Sequence, residues 1–184
     1  MKSRFYAAIF ILCASFIVAP AARAASDDSE VRGVVERVFQ QLKSGDYNSL
    51  YEVLPANSQR RISRERFTGM LSRTRDMYDL DRIEIGAVRT SGDIAAVDTV
   101  MYGHVRKPFE SEAKIVAQQY LVREDGRWRV ATGDRETVRR FLAANPSFAK
   151  KFPLREPRAY VKRDGRWVDV SSLMKAAARR KAKS

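Results

Sequence analysis

Asp98, Tyr102 and His104 stand at even-numbered positions of one alternating stretch, and on a strand such neighbours project from the same face. A carboxylate that acts as general base, with a phenol or imidazole as proton donor, is the equipment of acid–base catalysis. Ile94, Ala96 and Val100 share that face. The opposite face holds Ala95, Val97, Thr99, Met101, Gly103 and Val105, is more uniformly small or apolar, and reads as the concave core side. The Asp98 face is therefore expected to be the outer or oligomer-facing side, where the trio needs no catalytic explanation. Asp98 with Glu112 forms a second candidate pair, although nothing in the spacing brings the two within reach. Glu110 and Glu112, near Lys107 and Lys114, read as a solvated ion-pair cluster.

The scarcity of two residue types removes most other chemistry. Cys13 is the only cysteine and His104 the only histidine. Disulfides, thiolate nucleophiles and multi-histidine metal sites are thereby excluded, and a Ser-His-Asp triad would have to pass through His104. Gly45, Gly69, Gly86, Gly92 and Gly103 are isolated, so no glycine-rich loop cradles a phosphate chain in the manner of nucleotide folds. No cofactor and no metal is called for.

The chain opens with Lys2 and Arg4, runs apolar over residues 5–18, and reaches Pro20 and then Ala22-Arg23-Ala24, a small-x-small cleavage pattern. Residues 1–24 are expected to be a signal peptide cleaved near Ala24, which makes the protein periplasmic or secreted. Cys13 would leave with it. No later stretch approaches the roughly 20 apolar residues a spanning helix needs, so no membrane crossing is expected. Loss of Lys2, Arg4 and Arg23 lowers the formal charge from +13 to +10. Such a charge suits anionic lipid or acidic cell-wall polymer, and the C-terminal Lys175, Arg179, Arg180, Lys181 and Lys183 are the residues to meet it. Export argues against nucleic acid as a partner. The simpler account of the excess Arg and Lys is a solvated surface ending in a frayed tail.

The elements that must position these residues follow from periodicity. Acids and caps at residues 26–30 precede apolar Val31, Val34, Val35, Val38 and Leu42, which marks an amphipathic helix ended by Gly45. Asp46 can cap a short helix over 47–54 before Pro55, and Ser63 a third carrying Phe67, Met70 and Leu71, while Arg60, Arg61, Arg64 and Arg66 between them read as a basic cluster in a solvated turn rather than a binding patch. From Leu80 the period becomes two. Ile83, Ile85 and Ala87 share a strand face, a second strand runs over 94–105, and a third over 113–123 returns through Asp125-Gly126 into the Trp128 strand. Asp134 begins a helix that Asn145-Pro146 ends. The phrase Asp-Gly-Arg-Trp recurs at 164–167, and Trp128 and Trp167 are each expected to anchor a hairpin to apolar neighbours. A last helix is expected over 173–178.

Helix, Gly45-Asp46, a short helix with Leu50-Tyr51, Ile62-Ser63 and Phe67, then a meander ending in Asp-Gly-Arg-Trp-x-Val together resemble the nuclear transport factor 2-like superfamily, with its cystatin-like cone, over residues 31–131. The resemblance implies an α+β fold in which N-terminal helices pack on a strongly curved antiparallel sheet and leave a pocket at the open end. It also implies a homodimer through the outer sheet face. Within the family both isomerases or dehydratases and non-catalytic binding domains use this fold, so fold does not decide function. The expected layout is a domain over 25–144 and an extension over 145–184 with a second hairpin and the basic tail. The function expected is an exported, non-catalytic module binding a small apolar ligand or a protein, its pocket lined by Ala95, Val97, Met101 and Trp128. A small-molecule isomerase using Asp98, Tyr102 and His104, and a surface-adhering protein using its tail, are the alternatives.

Overall fold

The computed structural model describes residues 20–107 and 110–173; Cys13, the apolar run over 5–18 expected as a signal peptide, and Lys175, Arg179, Arg180, Lys181 and Lys183 lie outside them, as does most of the helix expected at 173–178. In chain order the elements are α1 (Pro20–Ser44), α2 (Tyr47–Glu52), α3 (Ala56–Arg61), α4 (Arg64–Ser72), a 3-10 turn at Arg75–Met77, β1 (Tyr78–Ser91), β2 (Ile94–Val105), β3 (Ser111–Glu124), β4 (Arg127–Val130), α5 (Arg135–Ala144), α6 (Pro146–Lys151), β5 (Arg158–Arg163) and β6 (Arg166–Asp169). The class is α+β, with all strand pairs antiparallel. Among the described residues no helix is long and apolar enough to cross a membrane.

α1 begins at Pro20, upstream of the caps at 26–30. Proline is pre-set for the first helical position and the alanines behind it are strong helix formers, so nothing local stops the helix sooner. Val31, Val35 and Phe39 recur at intervals of four and are buried along one stripe. Gly45, at φ 79°, ends the helix in the left-handed region, and its N–H reaches Leu42 O at 3.3 Å. Asp46 caps α2 by accepting from Ser49 N at 3.1 Å, and the hydroxyl and backbone N–H of Ser49 hold its carboxyl below the ordinary value. The arginine-rich segment expected as a turn is α3, because Pro55 starts it and the Tyr51 hydroxyl closes its far end, 3.0 Å from Gln59 O and 2.9 Å from Ile62 O. Ser63 caps α4.

The sheet has six strands in the order β1-β2-β3-β5-β6, with β4 also on β3. β3 is shared: residues 121–124 pair with β4 and residues 113–116 with β5. Both Asp-Gly turns adopt two successive positive φ values, 51° and 72° at Asp125 and Gly126 and 49° and 74° at Asp164 and Gly165. That is the backbone hand a two-residue hairpin loop requires. A register shift in β1 between Ile85 and Val88 corrects one expected face: Ala87 is exposed, and Val88 takes its place beside Ile83 and Ile85.

Both faces of the sheet are covered, by different parts of the chain. On the odd-numbered face Ala95, Val97, Leu121 and Trp128 pack with Val31 and Val35 of α1. On the even-numbered face Ile94, Ala96, Tyr120 and Val122 pack under Val138 and Leu142 of α5 and Phe148 of α6. The Asp98 face is thus not the outward side along its whole length. The extension carries apolar Phe148, Phe152 and Leu154, and the sheet end carrying Ile94 and Ala96 is the apolar surface that buries them.

Candidate groove on the even face of the sheet

Cross-strand register resolves the even face into rows. Under the helices lie Arg89, Ala96 and Tyr120; then Asp98 beside Gln118; then Glu84, Val100, Val116 and Arg158; then Arg82, Tyr102, Lys114, Tyr160 and Asp169. The chain thus grades from core to a polar seam, to an apolar strip flanked by charges, and to an aromatic row with cations. Over the middle rows runs an open groove of ≈ 1340 Å³, floored by Asp98, Val100, Val116 and Gln118 and walled by Arg155, Arg158 and Ser171 among others. Val116 is 38 % exposed at its floor.

The polar seam ties the extension down. Arg89 Nη1 donates to Asp98 Oδ2 at 2.6 Å, and Gln118 Nε2 donates to Asp98 Oδ1 at 3.3 Å. The Tyr120 hydroxyl lies 2.7 Å from Gln118 Oε1 and 2.8 Å from Pro153 O, with one proton to share between them. Burial pushes this hydroxyl above its ordinary value, against Arg155 and with Asp98, so it stays a neutral donor. Arg89 also lies over the Phe152 ring, 4.9 Å from its centre. Tyr120→Phe is expected to cost about 1–2 kcal/mol in urea unfolding, because it leaves the Gln118 and Pro153 oxygens without their donor, and to speed amide exchange in α6. An unchanged midpoint would show that the seam is satisfied without it.

Asp98, Tyr102 and His104 share one face, as their spacing implies, but they do not converge. Four and six positions of strand separate Asp98 from the other two, ~13 and ~20 Å at the usual rise. Asp98 is held by Arg89, the Tyr102 hydroxyl donates to Glu84 Oε2 at 3.2 Å, and His104 is exposed opposite Glu112. Glu112 pairs with Lys162 at 3.0 Å, not with Lys107 or Lys114, because β5 brings Lys162 alongside β3. Asp98 and Glu112 sit as far apart as Asp98 and His104, since Glu112 pairs with His104. Among the described residues no cluster of His, Cys, Asp and Glu could hold a metal ion.

The expected apolar pocket on the odd face is filled. Ala95 and Val97 are 0 % exposed against α1, and Met101 is half-buried. Trp128 also lines a separate cleft beside α1. Trp167 differs from its twin: it is 36 % exposed on β6, whose residues all face solvent, with the Tyr102 ring edge-on at 6.5 Å and Lys114 Nζ 4.5 Å from its ring centre. Its hairpin lies at the sheet edge, and among the described residues no helix covers it, so the tryptophan finds a cation and an aromatic instead of core. The groove itself escaped sequence reasoning, since it exists only because β5 and residues 155–158 fold back over β2 and β3; the exposed pairing of Val100 with Val116 has no signature in either strand alone.

No family model matches the sequence, and no curated protein matches it. Among solved structures, a protein described as an NTF2-like transpeptidase from Campylobacter jejuni is similar at 14% identity and a TM-score of 0.37, over 54% of this chain and 94% of that chain.

Proposed function

We propose that the protein is an exported, non-catalytic binding module on a nuclear transport factor 2-like cone, and that its ligand lies in the groove over the even face of the sheet. The observation that carries this reading is the apolar strip of exposed Val116 and half-buried Val100 at the floor of an open ≈ 1340 Å³ groove, flanked by cations that make no ion pair among the described residues. Among the described residues Arg155 and Arg158 make no ion pair, whereas Asp98 is paired with Arg89, Glu84 with Arg82 and Glu156 with Arg135, and the fourth acid of the lining, Asp169, accepts from Ser171 N at 2.8 Å. The groove therefore offers an apolar floor and free guanidinium groups, which suits an extended ligand with an apolar stretch and an acidic group. The isomerase alternative lacks an unpaired base: the Asp98 carboxylate is occupied by Arg89 and Gln118.

Native mass spectrometry of the mature protein from its own compartment, against the denatured mass, tests this. A bound mass present in the wild type and absent in Val116→Lys is expected, since a charge on the floor opposes the apolar stretch while Val116 is exposed enough to be replaced without unfolding. A bound mass retained in that variant would remove the groove from the account.

A further inference from the structure

A second cleft, of ≈ 540 Å³, lies between α1, the end of α2 and the hairpin of β3 and β4; Glu30, Arg37, Arg127, Trp128 and Arg129 are among its lining. It shares no residue with the groove. Its character is set by donors that have nothing to give to. Among the described residues, the buried side-chain N–H groups without an acceptor are Arg123 Nε, Trp128 Nε1 and Arg129 Nε, all on this one hairpin. Trp128 is 4 % exposed, so its indole N–H has left water without gaining a partner in return. Arg123 stacks its guanidinium 4.4 Å from the centre of the Trp128 ring and pairs through Nη2 with Asp27, which fixes the ring from behind.

At the mouth, Arg37 from α1 and Arg127 from β4 make no ion pair among the described residues. The acids nearby do not neutralise them: the Glu52 carboxylate is held by Arg64, which leaves Glu30 as the one acid of the lining without a cation. Gly33 on α1 and Gly126 at the turn have nothing within 4 Å of where a Cβ would sit, so the mouth is not closed by side chains there. The lining thus carries two guanidinium groups without ion pairs against one uncommitted carboxylate, Glu30, a balance that favours an anion.

We propose that this cleft is an oxyanion site that takes the phosphate group of a small phosphorylated molecule. Arg37 and Arg127 fork onto the phosphate oxygens from the two sides of the mouth, and Trp128 with Arg129, whose Nη1 already donates to the Glu52 carbonyl, forms the inner wall. The cleft exceeds the size of a bare phosphate, so the ester's organic part fits between Val34 and Val53.

Isothermal titration of the mature protein with inorganic pyrophosphate, in low-salt buffer, is the test. Saturable binding is expected, weakened at least ~10-fold in Arg37→Gln and in Arg127→Gln, each an exposed substitution, and strengthened a few-fold in Glu30→Gln. In a Trp167→Phe background the remaining emission of Trp128 should change as pyrophosphate saturates the site. Lys150→Gln with Lys151→Gln, exposed on α6 and part of neither the cleft nor the groove, should leave the affinity within about twofold, because those charges lie outside the cleft. The proposal is overturned by the absence of saturable binding, by an equal loss in the Lys150 and Lys151 variant, or by citrate binding in the cleft where pyrophosphate does not. The groove reading survives each of those results, since it rests on other residues.

Discussion

Trp128→Ala is expected to destabilise the fold by about 3–5 kcal/mol, and the same change at Trp167 by about 1 kcal/mol or less. The two residues sit in the same four-residue phrase, on the same turn geometry, so local sequence predicts equal effects. What separates them is what the second strand of each hairpin faces. Trp128 lies among Val31, Val35, Ala95, Val97 and Leu121, with α1 laid over it, and its removal leaves a cavity that neighbours on two elements cannot jointly close. Trp167 leaves solvent where solvent already reaches, and forfeits only its interactions with Lys114 and Tyr102. Urea unfolding at constant denaturant slope measures both. Equal losses would mean that β6 is covered by something else in solution, and that the exposed reading of this edge is wrong.

That contrast also marks how far the residues speak for themselves. Local signals were legible: the stop at Gly45, the caps at Asp46, Ser63 and Asp134, the two Asp-Gly hairpins and the bounds of β2 all follow from short-range physics that a sequence carries openly. Nothing local distinguishes Trp128 from Trp167, because the difference comes from α1 arriving over one hairpin, whereas among the described residues no helix covers the other. The same holds for the Asp98 face. Its apolar half, Ile94 and Ala96, is as apolar as the odd face, but that suggests a partner only once Phe148 and Phe152 are known to fold back upon it. Phe39, buried at 2 %, extends the α1 stripe one turn beyond Val35 and was available from the period alone. Ala87 shows the opposite case: strict alternation placed it on the face of Ile83 and Ile85, and a bulge, which has no alternation signature, gave that place to Val88. For the candidate sites the limit is sharper. Asp98 and Arg89 are nine residues apart across a turn and meet at 2.6 Å, so the acid that looked available in sequence is occupied in the fold.

A related long-range node sets the expected response to acid. The carboxylate of Asp134 is 10 % exposed, caps α5 by accepting from Thr137 N at 3.0 Å, and accepts from Thr137 Oγ1 at 2.7 Å and from Ser58 Oγ on α3 at 2.5 Å, with Arg61 paired to it as well. Burial pushes its pKa up, but the hydrogen bonds from Ser58, Thr137 and Arg61 together outweigh burial and hold it down at about 2 from an ordinary 3.8. A depressed folded-state pKa means that the unfolded chain takes up the proton first. The stabilisation, about 2 kcal/mol in full, is therefore present above about pH 4 and is lost as pH falls through 2. Asp134→Asn is expected to lose about that amount at neutral pH and to show a flatter stability profile between pH 4 and 2 than the wild type, because its amide has no proton to gain there. Chemical denaturation at several pH values in that interval decides it. Parallel profiles for the two proteins would mean that Asp134 titrates alike in the folded and unfolded chain, and that α3 and α5 are held together by Arg61 and the surrounding packing without its charge.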